Sequence, residues 1–533
     1  MSAPGLSVER GSPRRAGSTD FGAIALATVV IASAVAAGIV AADTPILAVA
    51  IASLGLLATA MILRPDVATL VSVAILYSNA AVVLVRFHGV PAFVAAVVPL
   101  LLVVPLARDL IVRRLPIIAP PVLRWVVVLL FIHLISALQS TDLQTSWDAV
   151  TTFLIEGIGL YFLLLNVIRT PEMLRATTWA LLGAGAIISA LSVHQAITSN
   201  YGSDYFGFAQ ATSAAVSTGV STLTGDIVQP RLAGSIGETN RFAQTMLMLV
   251  PLGIFRFVDE RSVSLRAFAA IATALISLAV VFTFSRGAAV GFGVLVLALM
   301  ALRLIQSRHV LAILLVLVLV LIAFPQYGAR VASLASVASV GADSGTGSVD
   351  TSLLSRVTET LSAGLVMVDH PILGVGPDMF PFYYQQYAEV VGILVRNGAA
   401  REAHNLYLGV GAELGVTGLA VFLLIAYLTI RMLLVARRRA LVRRPDLERL
   451  TTPYLLALLT YYVTGMFLHI SFIRFYWLML AVAAAAAVIS LRESADDAAA
   501  DSTPAPWSAA SLAVSSTTSP RPAPRYGASS QSV

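Results

Sequence analysis

The chain has 533 residues, of which 58% are hydrophobic and only 12% charged, and its mean hydropathy is +0.88. Soluble proteins carry about a quarter charged residues, so this composition excludes an ordinary soluble protein and makes the bilayer the relevant solvent. The formal charge of +6 rests on 34 arginines with no lysine, an excess that reads as membrane orientation and not as nucleic-acid binding; with no cysteine, disulfides, thiolate metal sites and a cysteine nucleophile are excluded.

Residues 1–20 are polar, basic and rich in Gly, Ser and Pro, and no convincing cleavage site follows them, so they read as a retained, disordered tail. From Phe21 onward, apolar runs of about 17–25 residues recur, each long enough to cross about 30 Å of hydrocarbon. The spans fall near 21–40, 45–63, 68–85, 90–107, 122–138, 151–168, 174–197, 240–257, 265–284, 287–304, 309–324, 406–430, 453–472 and 475–491. The expected fold is therefore an all-α polytopic transmembrane helix bundle of about 12–14 spans.

Its parts are an N-terminal bundle over 21–197, an external loop with central helices over 198–324, a long extracytoplasmic loop over 325–403, and C-terminal helices over 404–491. Residues 492–533 read as a disordered tail, being rich in Ala, Ser, Thr and Pro with few large apolar groups. Basic loops are retained in the cytoplasm, and with both termini inside, 25 arginines fall inside and nine outside. In the long loop, Gly341–Ser348 is flexible by composition. Beyond it Leu354, Val357, Leu361, Leu365 and Val368 recur at helical spacing, with Arg356 and Glu359 on the opposite face. That spacing predicts an amphipathic helix, either on the outer membrane surface or covering ordinary core.

Arginines on the wrong side of the orientation rule are informative. Arg231, Arg241, Arg286, Arg330, Arg356, Arg396, Arg401 and Arg474 all lie outside, several at the end of a span. A guanidinium near hydrocarbon costs about 2.5–3.5 kcal/mol at mid-depth, so it calls for a partner. A phosphate or diphosphate suits the planar fork; a nearby carboxylate is the plainer alternative. Of seven histidines, His370 and His404 lie in the long loop, and His404 stands where loop meets membrane, in Arg401-Glu402-Ala403-His404-Asn405-Leu406-Tyr407. Imidazole there can take a proton from a sugar hydroxyl or serve structure alone. Below it Tyr407, Gly411, Gly415 and Gly418 form a small-residue stripe for close helix approach, and Glu413 reads as a polar lock in preference to a functional carboxylate. Asp343 and Asp350 loosely suggest a calcium loop but supply too few ligands, so no metal or cofactor is expected.

Four stretches together resemble the O-antigen ligase and O-antigen polymerase superfamily of bacterial membrane glycosyltransferases. They are Arg231-Leu-Ala-Gly234 with Asn240-Arg241-Phe242-Ala243; Ser285-Arg286-Gly287; His370-Pro371 through Gly374-Val-Gly376-Pro377 with Phe380; and His404-Asn405-Leu406-Tyr407-Leu408 with Glu413, Gly415 and Gly418. The resemblance covers about residues 230–420. It implies a glycan donor on polyprenyl diphosphate, an acceptor hydroxyl on a glycan or lipid, and an active site on the extracytoplasmic side of the inner membrane. It assigns Arg231 and Arg286 to the diphosphate, Arg241 as a further donor, and His404 as general base, with Asn240, Asn405, Tyr407, His370 and Arg401 expected around the substrates. It further implies inversion at the anomeric carbon without metal or nucleotide sugar. Two departures stand out: Glu238-Thr239-Asn240 replaces the Asp-Pro-Asn of many members, and fourteen spans exceed the usual twelve or so. Other classes are a transporter or flippase for the same lipid-linked sugars, which should show related halves that are absent here, and a membrane scaffold, which leaves the external arginines unexplained.

Overall fold

Prolines and polar caps set where the helices begin. Pro65, Pro121, Pro171 and Pro445 open α1 (Pro65–Tyr77), α4 (Pro121–Leu138), α7 (Pro171–Ile197) and α15 (Pro445–Thr464), where a missing N–H costs nothing. Side-chain oxygens of Asp142, Thr170, Glu238, Ser285 and Asn405 cap first-turn amides of α5 (Leu143–Thr152), α7, α8 (Thr239–Leu247), α11 (Arg286–Ala301) and α14 (Leu406–Arg443). The remaining helices are α2 (Ala80–His88), α3 (Val103–Ala107), α6 (Leu160–Val167), α9 (Leu249–Asp259), α10 (Val263–Phe282), α12 (Thr351–Asp369), α13 (Phe380–Val391) and α16 (Arg474–Ser502).

These elements come from a computed structural model that describes residues 63–91, 98–222, 225–305, 351–393, 401–468 and 474–502, with the single residues 59, 95 and 395. Among the described residues seven helical stretches are long and apolar enough to cross a membrane: Pro121–Leu138, Leu143–Val167, Pro171–Ile197, Thr239–Asp259, Val263–Phe282, Leu406–Val442 and Arg474–Ala495. An eighth arises if α1 and α2, bent by 56°, form one span. The expected spans at 122–138, 151–168, 174–197, 240–257, 265–284, 406–430 and 475–491 fall on the seven, and 68–85 falls on the bent pair. Helix α11 is shorter than a full span, at 16 residues, and α15 ends at Thr464, short of the expected 472. The expected spans 21–40 and 309–324, most of 45–63, the tail 1–20, Gly341–Ser348, Arg330 and Arg396 lie outside the described residues. At the C-terminal side α16 runs on to Ser502, well past the expected end at 491.

The bundle closes around α16. From Tyr476 to Ala487 no residue is more than 1% exposed, and the alanines at 481 and 483–487 let α14, α15 and α6 approach closely. At one end, the loop over 198–239 folds into an antiparallel hairpin, β1 (Gln210–Thr222) with β2 (Gly225–Gly234), in which Thr212 is paired with Arg231.

The expected amphipathic helix is present as α12, and its orientation follows from burial. Ser355, Thr358, Glu359 and Ser362 are buried, while Leu361 and Val368 are 47% and 68% exposed. Its polar face thus turns into the protein and its apolar edge outward, an arrangement that suits a helix bordered by lipid. Tyr387 of α13 donates to Asp369 at 2.8 Å and ties the two loop helices together; burial, with Asp369 beside it, pushes the Tyr387 phenol up to about 12.

Candidate active site

The break in α14 organises this end of the molecule. Gly415 takes φ 69° and ψ −174° inside the helix, a conformation only glycine adopts readily, so the carbonyls of Ala412 and Glu413 lose their helical partners. The segment after α12 restores them. Val375 and Gly376 donate their N–H groups to Ala412 O and Glu413 O, each at 3.0 Å, and Val416 donates to Pro371 O at 2.7 Å. The Ser136 hydroxyl lies 2.7 Å from Leu373 O and 2.9 Å from Glu413 O. The His370–Pro377 motif is therefore a strap that repairs a broken span. The glycine stripe serves this strap and α12: a Cβ at Gly374 would collide with the Glu413 backbone, one at Gly415 with Ile372, and one at Gly411 with Met367.

Glu413 is 1% exposed and accepts backbone N–H groups of Asp378 and Phe380 at the start of α13. That is the polar lock between elements. His370 stands just beyond α12, its ring edge-on to Tyr383 at 5.9 Å.

Two sets of polar contacts, adjoining along residues 401–404, hold most of the remaining candidates. Arg231, 8% exposed on β2, donates from Nε to Thr283 O at 2.8 Å and from Nη2 to Asn240 Oδ1 at 3.1 Å. It thereby holds the C-terminal carbonyl end of α10, one residue before Phe284 (φ 52°) and the Ser285 cap that start α11 at Arg286. Asn240 also donates to Glu238 at 3.0 Å. Glu238 fills the N-cap position of α8 with a carboxylate, accepting from the amides of Asn240 and Arg241, so the residue that departs from Asp-Pro-Asn keeps a defined role. Arg241 pairs with Glu402, two residues before His404.

His404 is held from the other side by α12. Its Nε2 lies 3.6 Å from Glu359 Oε2, Arg401 lies 3.7 Å from Glu359 Oε1, and the Ser355 hydroxyl donates to that same oxygen at 3.0 Å. Glu359 is 1% exposed, so its charge is stabilised by protein groups such as these and not by water. His404 itself adopts φ 46°, the left-handed region, which costs a non-glycine residue about 1–2 kcal/mol. Asn405 and Tyr407 build the frame beneath it. Asn405 Oδ1 caps the amides of Tyr407 and Leu408 at 3.0 and 3.1 Å, and the Tyr407 hydroxyl donates to Tyr462 O at 2.7 Å.

The structure thus forms two polar groups, Arg231–Asn240–Glu238–Arg241–Glu402 and Arg401–Glu359–His404, which adjoin along residues 401–404, with Arg286 beginning the helix next to the carbonyl that Arg231 holds. Helices α8, α11 and α14 all start beside them, so their partial positive ends add to the guanidiniums and favour an anion there. Sequence reasoning missed Glu359 and Glu402 as partners. Glu359 stood on the polar face of a helix whose orientation was open, and Glu402 beside Arg401 resembled a local ion pair. For Arg474 the plainer alternative holds: it pairs with Glu156 at 2.7 Å and with Asn79.

The fold and these contacts define a polytopic, all-α membrane protein with a charged cluster at one end of the bundle. The family model described as O-antigen ligase matches residues 271–423, the stretch that carries Arg286, Glu359, the strap, His404 and the Gly415 break. This match supports the resemblance of the chain to the O-antigen ligase superfamily. No curated protein matches the chain. The family supports a membrane glycosyltransferase-like role in polysaccharide assembly.

Proposed function

We propose that this protein transfers a glycan from a polyprenyl diphosphate to an acceptor hydroxyl, on a glycan or a lipid, at the extracytoplasmic face of the bacterial inner membrane, with both termini in the cytoplasm. The observation that carries the proposal is that Arg231, Asn240, Glu238, Arg241 and Glu402 form one chain of polar contacts ending two residues before His404, which lies 173 positions from Arg231 in sequence.

The acceptor oxygen attacks the anomeric carbon as the bond to the diphosphate breaks, and the electron pair leaves with the diphosphate. Charge grows on the leaving oxygens, where Arg286, Arg231 and Arg241 stabilise it as fixed donors. The acceptor proton passes to the imidazole of His404, a step worth about 10²–10⁴ in rate. Glu359 fixes the ring and balances the imidazolium that forms, much as a carboxylate does behind a histidine base elsewhere. Asn240, Asn405, Tyr407 and His370 act by positioning the backbone that carries these groups, and Arg401 acts through Glu359. Single displacement from the opposite face inverts the anomeric centre, and the arginines take the place a metal fills in nucleotide-sugar enzymes.

The test is to incubate the purified full chain with lipid-linked repeat units, first alone and then with a second acceptor. Lengthening without addition identifies a polymerase, and product only after addition identifies a ligase. No release of polyprenyl diphosphate under either condition contradicts the proposal.

A further inference from the structure

At the far end of α7 from the β1–β2 hairpin, the α1 start, a π-helical turn over Arg108–Val112 and the α6–α7 junction enclose a cavity of about 100 Å³. Helix α7 has 27 residues, about 40 Å at 1.5 Å each, so this cavity and the His404 cluster sit at opposite interfaces of the membrane. A water needs about 10–15 Å³ of such space, so the cavity admits a group the size of several waters, which includes a phosphate.

Arg108, Arg113 and Arg169 line it against Asp66 and Asp109, leaving one net positive charge (three minus two). Arg169 belongs to the wall: its side chain is 9% exposed, it donates to Pro116 O at 2.9 Å, and it faces Asp109 at 3.4 Å. Arg113 lies 3.1 Å from that same carboxylate with half its side chain exposed. Arg108 is exposed, and its side chain makes no hydrogen bond or ion pair among the described residues. One carboxylate is thus shared by two guanidiniums, and donors remain for an incoming anion. Beside them Ile111, Val112 and Ile117 are 75%, 68% and 55% exposed, a run of large apolar side chains that hydrocarbon accommodates and water does not.

We propose that this cavity binds the phosphodiester headgroup of an anionic membrane phospholipid, with Arg108 and Arg113 as donors and the acyl chains lying along Ile111, Val112 and Ile117. The juxtaposition of open guanidiniums, a phosphate-sized cavity and exposed aliphatic residues at one interface fits a lipid and gives a free anion no use for the apolar margin.

The test uses the full chain, purified in detergent and incubated with phosphatidylglycerol or phosphatidylcholine, with retained lipid counted by native mass spectrometry. We expect one phosphatidylglycerol retained in preference to phosphatidylcholine, and retention reduced about tenfold or more in R108Q/R113Q, as two interfacial arginines worth about 1 kcal/mol each require. Arg108→Gln alone removes an exposed side chain that has no partner among the described residues, so a smaller loss in that correctly folded variant supports the assignment. Equal retention of both lipids, or retention unchanged in the double variant, overturns it. Displacement of the lipid by inorganic phosphate overturns the lipid assignment in favour of a free oxyanion site.

Discussion

Glu359 Oε2 lies 3.6 Å from Nε2 of His404, and the carboxylate is 1% exposed. The carboxylate also faces Arg401 at 3.7 Å, and its negative charge stabilises any positive charge that the imidazole gains during the reaction. Replacing Glu359 by Gln keeps shape and the bond from Ser355 but removes that charge. We expect kcat to fall about 10–100-fold, the 1.5–3 kcal/mol of a charge-assisted contact, with donor KM nearly unchanged. Steady-state transfer by purified E359Q checks this; wild-type turnover would leave Glu359 a packing residue.

Arg231 and Arg286 should differ in how they fail. Arg231 holds Thr283 O and Asn240 together, so Arg231→Lys is expected to lower both the thermal midpoint and the rate. Arg286→Lys keeps the charge but loses the bidentate fork, and a large rate loss with an almost unchanged melting midpoint is expected. Parallel melting curves and initial rates in detergent distinguish the two.

Gly415→Ala puts a Cβ on a residue at φ 69° and against the Ile372 carbonyl. The conformational cost alone is about 1–2 kcal/mol before the collision is counted. The variant should melt measurably lower and accumulate poorly, whereas Gly293→Ala, which meets open space, should not. Comparable melting curves for the two would remove the strap from the account.

Arg241 is engaged by Glu402, a half-exposed carboxylate that occupies the guanidinium a diphosphate would need. Glu402→Gln leaves Arg241 available, so donor KM should fall severalfold as a competing intramolecular anion is lost. A rise in donor KM would show that Glu402 orients Arg241 for the donor instead.

Much of this fold was legible because charge is conspicuous in an apolar chain. The spans follow from hydrophobic runs that only a bilayer explains, and Arg231, Arg241, Arg286 and His404 stood out as ionisable groups where the orientation rule disfavours them. What was hidden depends on pairing across distance. Gln210–Thr222 is rich in Ala, Ser, Thr and Gly and lacks the alternation that announces a strand, so the hairpin was not foreseen. Gly415 suits a packing stripe as well as a helix break, and only the strap some forty residues earlier decides between them. The orientation of α12 was open between the membrane surface and the core; burial of its polar face against His404 and Arg401 decides it, since a helix bordered by lipid places its polar groups inward.

The central claim is that His404 receives the acceptor proton while the arginines hold the diphosphate. It is tested most directly by measuring donor binding and glycan transfer side by side for purified wild type and His404→Ala, using a lipid-linked glycan and its acceptor. The account predicts donor binding within about twofold of wild type and transfer reduced by about 10²–10⁴. Transfer near the wild-type rate in the variant would contradict it.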